Sequence, residues 1–268
     1  MSVTLDMNKQ QVVLDMKKRF VLNMEKAMEK QGVETFPILR TRAAIDASGS
    51  MEDNFRSGYV NTSVDRFIAA ALKFDDNGEL EIGFFNTRFL ETPVAVLADA
   101  GVYMQTKART VGASGGTEFD PIVEWTLEED TREGAAEQVQ ESGGFFGGLK
   151  KLFGVAPVQA AAVEGTLPDC GQYTGIITDG SLNSKSSQDR FELALRKTDA
   201  NDSFFQFIGI GSGVDIAYLT SVAKRFSNVG FVHIQNPSKV DDDAFYGLLA
   251  NDKFVGWIKQ YNAARGVK

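Results

Sequence analysis

Three oxygen-bearing side chains, Asp46, Ser48 and Ser50, stand at alternate positions directly after an apolar stretch. The residues at 43–45 that precede them are small or apolar, which is typical of a central strand covered on both faces. Loops at the carboxyl ends of such strands carry the ligands of open α/β sheets. Carboxylate and hydroxyl oxygens are hard donors, so this spacing predicts coordination of a hard divalent cation such as Mg²⁺.

Two later stretches place oxygen donors in similar positions. Thr117 follows two glycines and precedes a helical pattern, and Asp179 ends a second apolar strand at residues 176–178. Clusters of Asp, Ser and Gly also occur in ordinary turns and helix caps, which is the alternative interpretation of each stretch taken alone. Because three separate loops offer such groups at strand or helix ends, we predict that five side chains meet at one ion: Asp46, Ser48, Ser50, Thr117 and Asp179.

This arrangement resembles the metal-ion-dependent adhesion site of von Willebrand factor A (VWA) domains, in which Asp-x-Ser-x-Ser is followed by a distant Thr and a distant Asp. All five positions are present in that order. The resemblance covers about residues 38–262, and within the family it is closest to the tellurium-resistance proteins of the TerF type. It implies a doubly wound sheet and a Mg²⁺-type ion, with Mn²⁺ and Ca²⁺ as alternatives.

The same resemblance implies a function. A VWA site of this kind receives an Asp or Glu from a partner protein at an open position of the ion. We therefore predict a metal-dependent protein–protein interaction module that is not an enzyme, and its subfamily suggests a tellurium-resistance or stress-response system.

Two other functions stay open from the sequence. A magnesium-dependent phosphohydrolase also places acids at the ends of parallel strands, and Asp46 is its candidate nucleophile. Against this hypothesis, the second acid that such enzymes carry two residues further on is Ser48 here. The other alternative is an adaptor subunit of an AAA+ ATPase or chelatase machine.

The composition excludes several classes of protein. The formal net charge of −8, from 28 basic and 36 acidic residues, argues against nucleic-acid binding because acidic surfaces repel phosphate backbones. Cys170 is the single cysteine, so neither an intrachain disulfide nor a thiolate zinc cluster can form. No signal-peptide pattern and no run of about 18 apolar residues occurs, which predicts a cytoplasmic protein without a transmembrane segment.

Strand-like and helical patterns alternate along the chain. This alternation predicts an α/β fold: a doubly wound, mainly parallel six-stranded sheet of the VWA or Rossmann-like kind, with helices on both faces. The strand-like run at 89–96 contains Pro93, which cannot donate to a ladder, so we expect one antiparallel edge strand there. The helix after the first site loop is expected to be capped by Asn61, Thr62 or Ser63.

The chain divides into two predicted parts. Residues 1–37 form an amphipathic helical extension whose apolar positions, expected to pack on the sheet domain, are Val13, Met16, Phe20, Met24 and Met28. Residues 38–262 form the VWA-like domain, with a Gly/Phe-rich insertion at about 131–168. Within the insertion, residues 143–154 predict either a loop or a peripheral contact with a membrane surface or a partner groove.

Three polar features are expected to be structural. Glu118 and Asp120 flank Thr117 and are interpreted as first-turn acids that complement a helix dipole, with a role in supporting the metal ligands as the alternative. His233, the only histidine, lies in an apolar strand and is interpreted as a structural residue with its hydrogen bonds satisfied. The glycines at 209, 211 and 213 lack the spacing of a dinucleotide-binding loop and predict a strand-to-helix turn.

Overall fold

The computed structural model describes residues 2–75, 77–127, 170–198 and 202–267, with side chains described from Met7 onward. Six strands form one sheet in the order β3-β2-β1-β4-β5-β6. The strands are β1 (Leu39–Asp46), β2 (Leu80–Phe85), β3 (Phe89–Ala95), β4 (Gly171–Thr178), β5 (Ser203–Ile210) and β6 (Val229–Ile234). All neighbouring strands are parallel except β2 and β3, which confirms the predicted mainly parallel sheet with one antiparallel edge strand.

Helices cover both faces of this sheet, as predicted. They are α1 (Ser2–Gln31), α2 (Glu52–Arg56), α3 (Tyr59–Phe74), α4 (Tyr103–Thr106), α5 (residues 120–127), α6 (Lys185–Leu195), α7 (Ile216–Arg225), α8 (Asp242–Leu249) and α9 (Asp252–Ala264). One hydrophobic core joins α1, α3, α8 and α9 to the sheet. A second core joins the opposite face to α5, α6 and α7.

Strand β1 lies in the middle of the sheet and ends at the first site loop. Ala43 and Ile45 face the first core, and Ala44 faces the second, which explains why the strand is apolar without alternation. In register, Ile45 lies opposite Ile177 of β4, and Asp46 lies opposite Phe85 of β2. The carboxyl ends of β1 and β4 therefore meet at one edge of the sheet.

Helix α1 packs on the domain through the five predicted apolar residues, all of which are buried. It contacts α3, α8 and α9. The Phe20 ring lies 5.1 Å from the Phe74 ring and 5.4 Å from the Tyr246 ring, centroid to centroid. The boundary at residue 37 stays a prediction. Helix α1 and the domain share one core, so their packing does not mark a boundary there.

The predicted helix cap is wrong. Helix α3 begins at Tyr59 and follows Gly58, whose φ of 79° makes the left-handed turn that links α2 to α3. Val60 is buried in the core, so the helix begins one turn earlier than Asn61, Thr62 or Ser63 would allow. Apolar packing of this first turn outweighs the capping signal of the polar residues that follow.

The predicted insertion at 131–168, including the segment at 143–154, lies outside the described residues. Among the residues that are described, no helix combines the length and the apolar character that a membrane span requires.

Candidate metal centre

The loops after β1 and β4 are joined by the predicted side chains. Ser50 Oγ donates to Asp179 Oδ1 at 2.6 Å, and the hydroxyls of Ser48 and Ser50 lie 3.1 Å apart. Asp46 Oδ1 accepts the backbone N–H of Ser48 at 2.7 Å. Four of the five predicted side chains therefore form one connected group of oxygens at the carboxyl edge of the sheet.

Thr117 joins this group across Gly180. A Cβ atom added to Gly180 would lie 2.8 Å from Thr117 Oγ1 and 3.7 Å from Asp46 Oδ2. The Thr117 hydroxyl and the Asp46 carboxylate therefore both border the space that the missing side chain of Gly180 leaves open. The structure brings together all five side chains that the sequence singled out.

Backbone hydrogen bonds fix the loop that carries Thr117 against the loop after β1. Gly49 N donates to Gly115 O at 3.0 Å, and Ser114 N donates to Ala47 O at 2.8 Å. Gly115 has a φ of 74°, a conformation that favours glycine. These contacts hold Thr117 on the site, although it is far from β1 and β4 in sequence.

Asn183 also holds Thr117 in place, and the sequence reading missed it. Its Oδ1 accepts the Thr117 backbone N–H at 3.3 Å, and its Nδ2 donates to Glu118 Oε1 at 3.0 Å. A Cβ atom on Gly116 would lie 2.5 Å from Asn183 Oδ1, so glycine lets the two loops approach. No local pattern marks Asn183, because its partners lie on a distant loop.

Glu118 and Asp120 form hydrogen bonds that connect two loops of the site. Glu118 accepts hydrogen bonds from Ser187 Oγ at 2.9 Å and from Arg190 Nη2 at 2.8 Å. Asp120 Oδ2 accepts from Arg190 Nε at 3.0 Å. Both acids thus bind the first half of α6 and fasten the Thr117 loop to the element that follows Asp179.

Two more residues contact the carboxylates. Thr178 Oγ1 donates to Asp46 Oδ2 at 2.6 Å, and Asn54 Nδ2 lies 3.5 Å from Asp179 Oδ2. The alternation of β4 is a sequence signal for Thr178, since it places this side chain on the same sheet face as that of Ile176. Asn54 carries no such signal, because α2 is short and polar and buries none of its residues.

Burial makes the negative charge of the site costly. Asp46 has no solvent exposure, and its burial raises the pKa of the carboxyl to about 6 against the opposing effect of hydrogen bonds from Ser48 and Thr178. Burial also raises the pKa of Asp179, although the Ser50 hydroxyl stabilises its charged form. Two carboxylates held close together in this way favour a cation between them.

The donor set fits a hard divalent cation. It consists of two carboxylates and three hydroxyls, the oxygen ligands that Mg²⁺ and similar ions take. The sequence has one histidine and one cysteine, too few for a site built from several imidazole or thiolate ligands. Ser50 is exposed and Asp46 is buried, so the group opens to solvent on one side.

A doubly wound sheet with these oxygens at its carboxyl edge defines a domain of the von Willebrand factor A class. The chain belongs to the vWA-TerF-like family, described as the vWA found in the TerF C terminus, which matches residues 38–145 and 155–267. The resemblance seen in the sequence is thereby confirmed, including its TerF-type subfamily. Residues 1–37, which contain α1, lie outside the match.

Individual relatives are distant. The uncharacterized protein YcbR of Bacillus subtilis (strain 168) is 23% identical over 228 residues, which cover 82% of this chain and 78% of YcbR.

Among solved structures, proximal thread matrix protein 1 from the mussel byssus superposes with a TM-score of 0.53 at 16% identity, over 83% of this chain and 48% of that protein. A von Willebrand factor type A protein from Catenulispora acidiphila superposes with a TM-score of 0.51 at 12% identity, over 81% and 43%. The mussel protein has also been solved with a zinc-occupied MIDAS motif, at a TM-score of 0.47. This chain spans less than half of the length of these solved structures, and the likeness to them shows the fold.

Proposed function

We propose that this protein is a metal-dependent protein–protein interaction module that binds an acidic side chain of its partner. The observation that supports the proposal is the convergence of hydroxyls and carboxylates from three loops, above all the contact of 2.6 Å between Ser50 and Asp179. Asp46, Ser48, Ser50, Thr117 and Asp179 would hold the ion. We propose Mg²⁺, with Mn²⁺ and Ca²⁺ as the alternatives.

The hydroxyl and carboxylate side chains would have different roles at the ion. Ser48, Ser50 and Thr117 would offer neutral oxygens. If Asp46 and Asp179 bind the ion through water, most of its positive charge stays available to the partner. Asp46 shares its lone pairs with the Ser48 N–H and the Thr178 hydroxyl, which orients the carboxylate and weakens it as a ligand. The bound cation supplies the positive charge that attracts a partner Asp or Glu.

The net charge of the chain supports a strict dependence on metal. At a formal net charge of −8, this protein repels an acidic partner over distances of about 10 Å at moderate ionic strength. A cation at the site reverses the sign of this interaction locally. Association should therefore require the ion.

Recognition is favoured over phosphohydrolysis. Asp46 has no exposure, and both of its carboxylate oxygens accept hydrogen bonds, so it is poorly placed to attack a phosphorus atom. The enzymatic alternative stays testable: turnover of a generic phosphate ester that is lost on Asp46→Asn would replace our proposal. We further propose that the partner belongs to a tellurium-resistance or stress-response system, with an AAA+ ATPase or chelatase machine as the alternative.

The first test is a thermal shift with divalent cations. Magnesium at about a hundred times its dissociation constant is expected to stabilise the folded protein by about 2.7 kcal/mol, which corresponds to a rise in Tm of about 5–10 °C. The Tm shifts with Mn²⁺ and Ca²⁺ test these ions as alternatives, and EDTA should restore the original Tm. An unchanged Tm with all three ions, together with no heat of binding in calorimetry, would contradict the proposal.

A second prediction concerns Asn183. Asn183→Ala removes the hydrogen bonds to the Thr117 N–H and to Glu118, so Thr117 loses its fixed position at the site. We expect the magnesium affinity to fall about 10- to 100-fold, as for other residues that orient metal ligands. The Tm of the metal-free protein should change little, because Asn183 is exposed.

The matched control for this variant is Asn8→Ala, which changes an exposed asparagine on α1. It should leave the magnesium affinity as in the wild type. Equal magnesium affinities of Asn183→Ala and Asn8→Ala, measured by titration calorimetry, would show that Asn183 does not position Thr117.

A further inference from the structure

A cleft of about 310 Å³ continues from the candidate metal centre along the sheet edge. Ser50 and Asp179 belong to both, so the two sites share a wall. The rest of the lining comes from Asn54 and from the ends of β5 and β6, namely Ile210, Gly211, Ser212, Gly213 and Pro237. A volume near the lower end of the range of ligand pockets, about 300–1,000 Å³, suits a short segment of chain rather than a large cofactor.

The loop after β5 is held rigidly on both sides of Ser212. Gly211 N donates to Ile234 O at 2.9 Å, and Gly211 O lies 2.7 Å from Nε2 of His233. Ser181 Oγ donates to Gly213 O at 2.9 Å. His233 thus has the structural role expected of it, and the cleft is preformed.

Glycines bring this loop close to Asp179. A Cβ atom on Gly213 would lie 2.5 Å from the Asp179 carbonyl oxygen, so any side chain there would push the loop away from the site. Gly211 has a φ of 74°, which turns the chain at the end of β5. The floor of the cleft is therefore backbone, which a ligand can approach closely.

Ser212 and Gly213 line this cleft with exposed backbone. Among the described residues, neither Ser212 N–H nor Gly213 N–H has an acceptor, and both residues are exposed. Two successive free amides beside a carboxylate site suit the backbone carbonyl of an extended peptide. Such main-chain contacts give affinity without demanding a particular side chain.

The charge of the lining restricts what can enter. Asp179 is the only charged residue among those that line the cleft, and its carboxylate is engaged by Ser50 and Asn54. With the ion bound, the charge of Asp179 is already balanced by the cation, so the lining offers a counter-charge neither to a second acid nor to a basic side chain. Pro237 adds apolar surface to the lining, whereas Ile210 is fully buried.

We propose that this cleft is the subsite for the partner residue that adjoins the metal-bound Asp or Glu, and that it selects a small uncharged residue in an extended segment. The inference rests on the proposed function of the metal centre. The Ser212 and Gly213 amides receive the partner backbone, and the space beside Pro237 receives the small side chain.

The test uses a displayed library of heptapeptides that are random except for a fixed central Glu. The library is selected for binding to the full chain in the presence of Mg²⁺, and a parallel selection in EDTA is the comparison. We expect enrichment of Gly, Ala or Ser at one position next to the Glu. Enrichment of a charged or bulky residue there, or no preference at that position, would overturn the inference. Absence of any magnesium-dependent enrichment would overturn the proposed function as well.

The matched variants are Ser212→Trp, which fills the cleft, and Ser186→Trp, an exposed serine on α6 away from its lining. Ser212→Trp should weaken binding of the selected peptides at least tenfold and leave the magnesium-induced rise in Tm unchanged, while Ser186→Trp should bind them as the wild type does. Equal peptide affinities of the two variants would refute the subsite. Magnesium-dependent self-association that only Ser212→Trp abolishes would also overturn it, because the occupant would then be a second copy.

Discussion

Asp46→Asn is expected to abolish the stabilisation of this protein by magnesium and to leave the metal-free protein at least as stable as the wild type. Asp46 has no solvent exposure and accepts the Ser48 N–H at 2.7 Å and the Thr178 hydroxyl at 2.6 Å. Asparagine has the same shape and can keep both contacts, since its amide group can donate to the Thr178 oxygen. The substitution therefore removes a charge and little else.

Two effects then act in opposite directions. Without an ion, burial disfavours the charged carboxylate, as its pKa of about 6 reflects, so the neutral amide relieves a cost of folding. With the ion, the amide loses the attraction of a full negative charge. Because residues that only orient metal ligands cost about 10- to 100-fold in affinity, we expect the loss of Asp46 to exceed about 100-fold.

The measurement is Tm with and without magnesium for the wild type, Asp46→Asn and Asp53→Asn. Asp53 lies in α2 close to the site in sequence, and its side chain is 92% exposed, so its variant matches the change in charge without touching the site. It should keep the full magnesium shift. A normal magnesium shift in Asp46→Asn would exclude Asp46 from the metal centre.

Phe74→Ala is expected to cause the largest loss of stability. Phe74 is 1% exposed, and its ring contacts Phe20 of α1 at 5.1 Å, Tyr173 of β4 at 5.6 Å and Phe254 of α9 at 5.7 Å, between centroids. Truncation of a buried Phe costs about 3–5 kcal/mol, because apolar contacts are lost and a cavity remains. This is a large share of a typical folding free energy of about 5–15 kcal/mol.

Urea unfolding followed by circular dichroism measures this effect as a lower midpoint at constant m-value. Leu193→Ala is the control, because Leu193 is 57% exposed and its truncation should change the free energy of unfolding by less than about 0.5 kcal/mol. Similar losses of unfolding free energy in both variants would mean that α1, α3 and α9 do not share the first hydrophobic core.

Much of the fold was readable from periodicity. The apolar run before Asp46 and the run before Asp179 became buried strands, and Pro93 marked the edge strand. The spacing of Phe20, Met24 and Met28 gave the inner face of α1. Local prediction failed at the start of α3, where burial of Val60 decided the boundary and the polar residues did not.

The sequence predicted the residue types of the candidate site but not the side chains that hold them in place. Asp46 and Asp179 end apolar strands, and parallel strands end at one edge, so their proximity follows from the pattern. Thr178, Asn183 and Asn54 hold these groups through side-chain contacts between loops, which no local spacing encodes. The contacts of Glu118 and Asp120 with Arg190 were unpredictable for the same reason, since Arg190 is about 70 positions away.

The sequence by itself determined which oxygen donors this protein carries at the ends of its strands, and that the strands are buried on both faces. These are local properties, because backbone conformation and side-chain polarity are set by neighbouring residues. Only the tertiary structure decided that Ser50 and Asp179, 129 positions apart, lie 2.6 Å from each other and that a glycine at 180 leaves room for Thr117. Contacts of this kind depend on strand register and loop geometry, which arise only when the whole sheet packs.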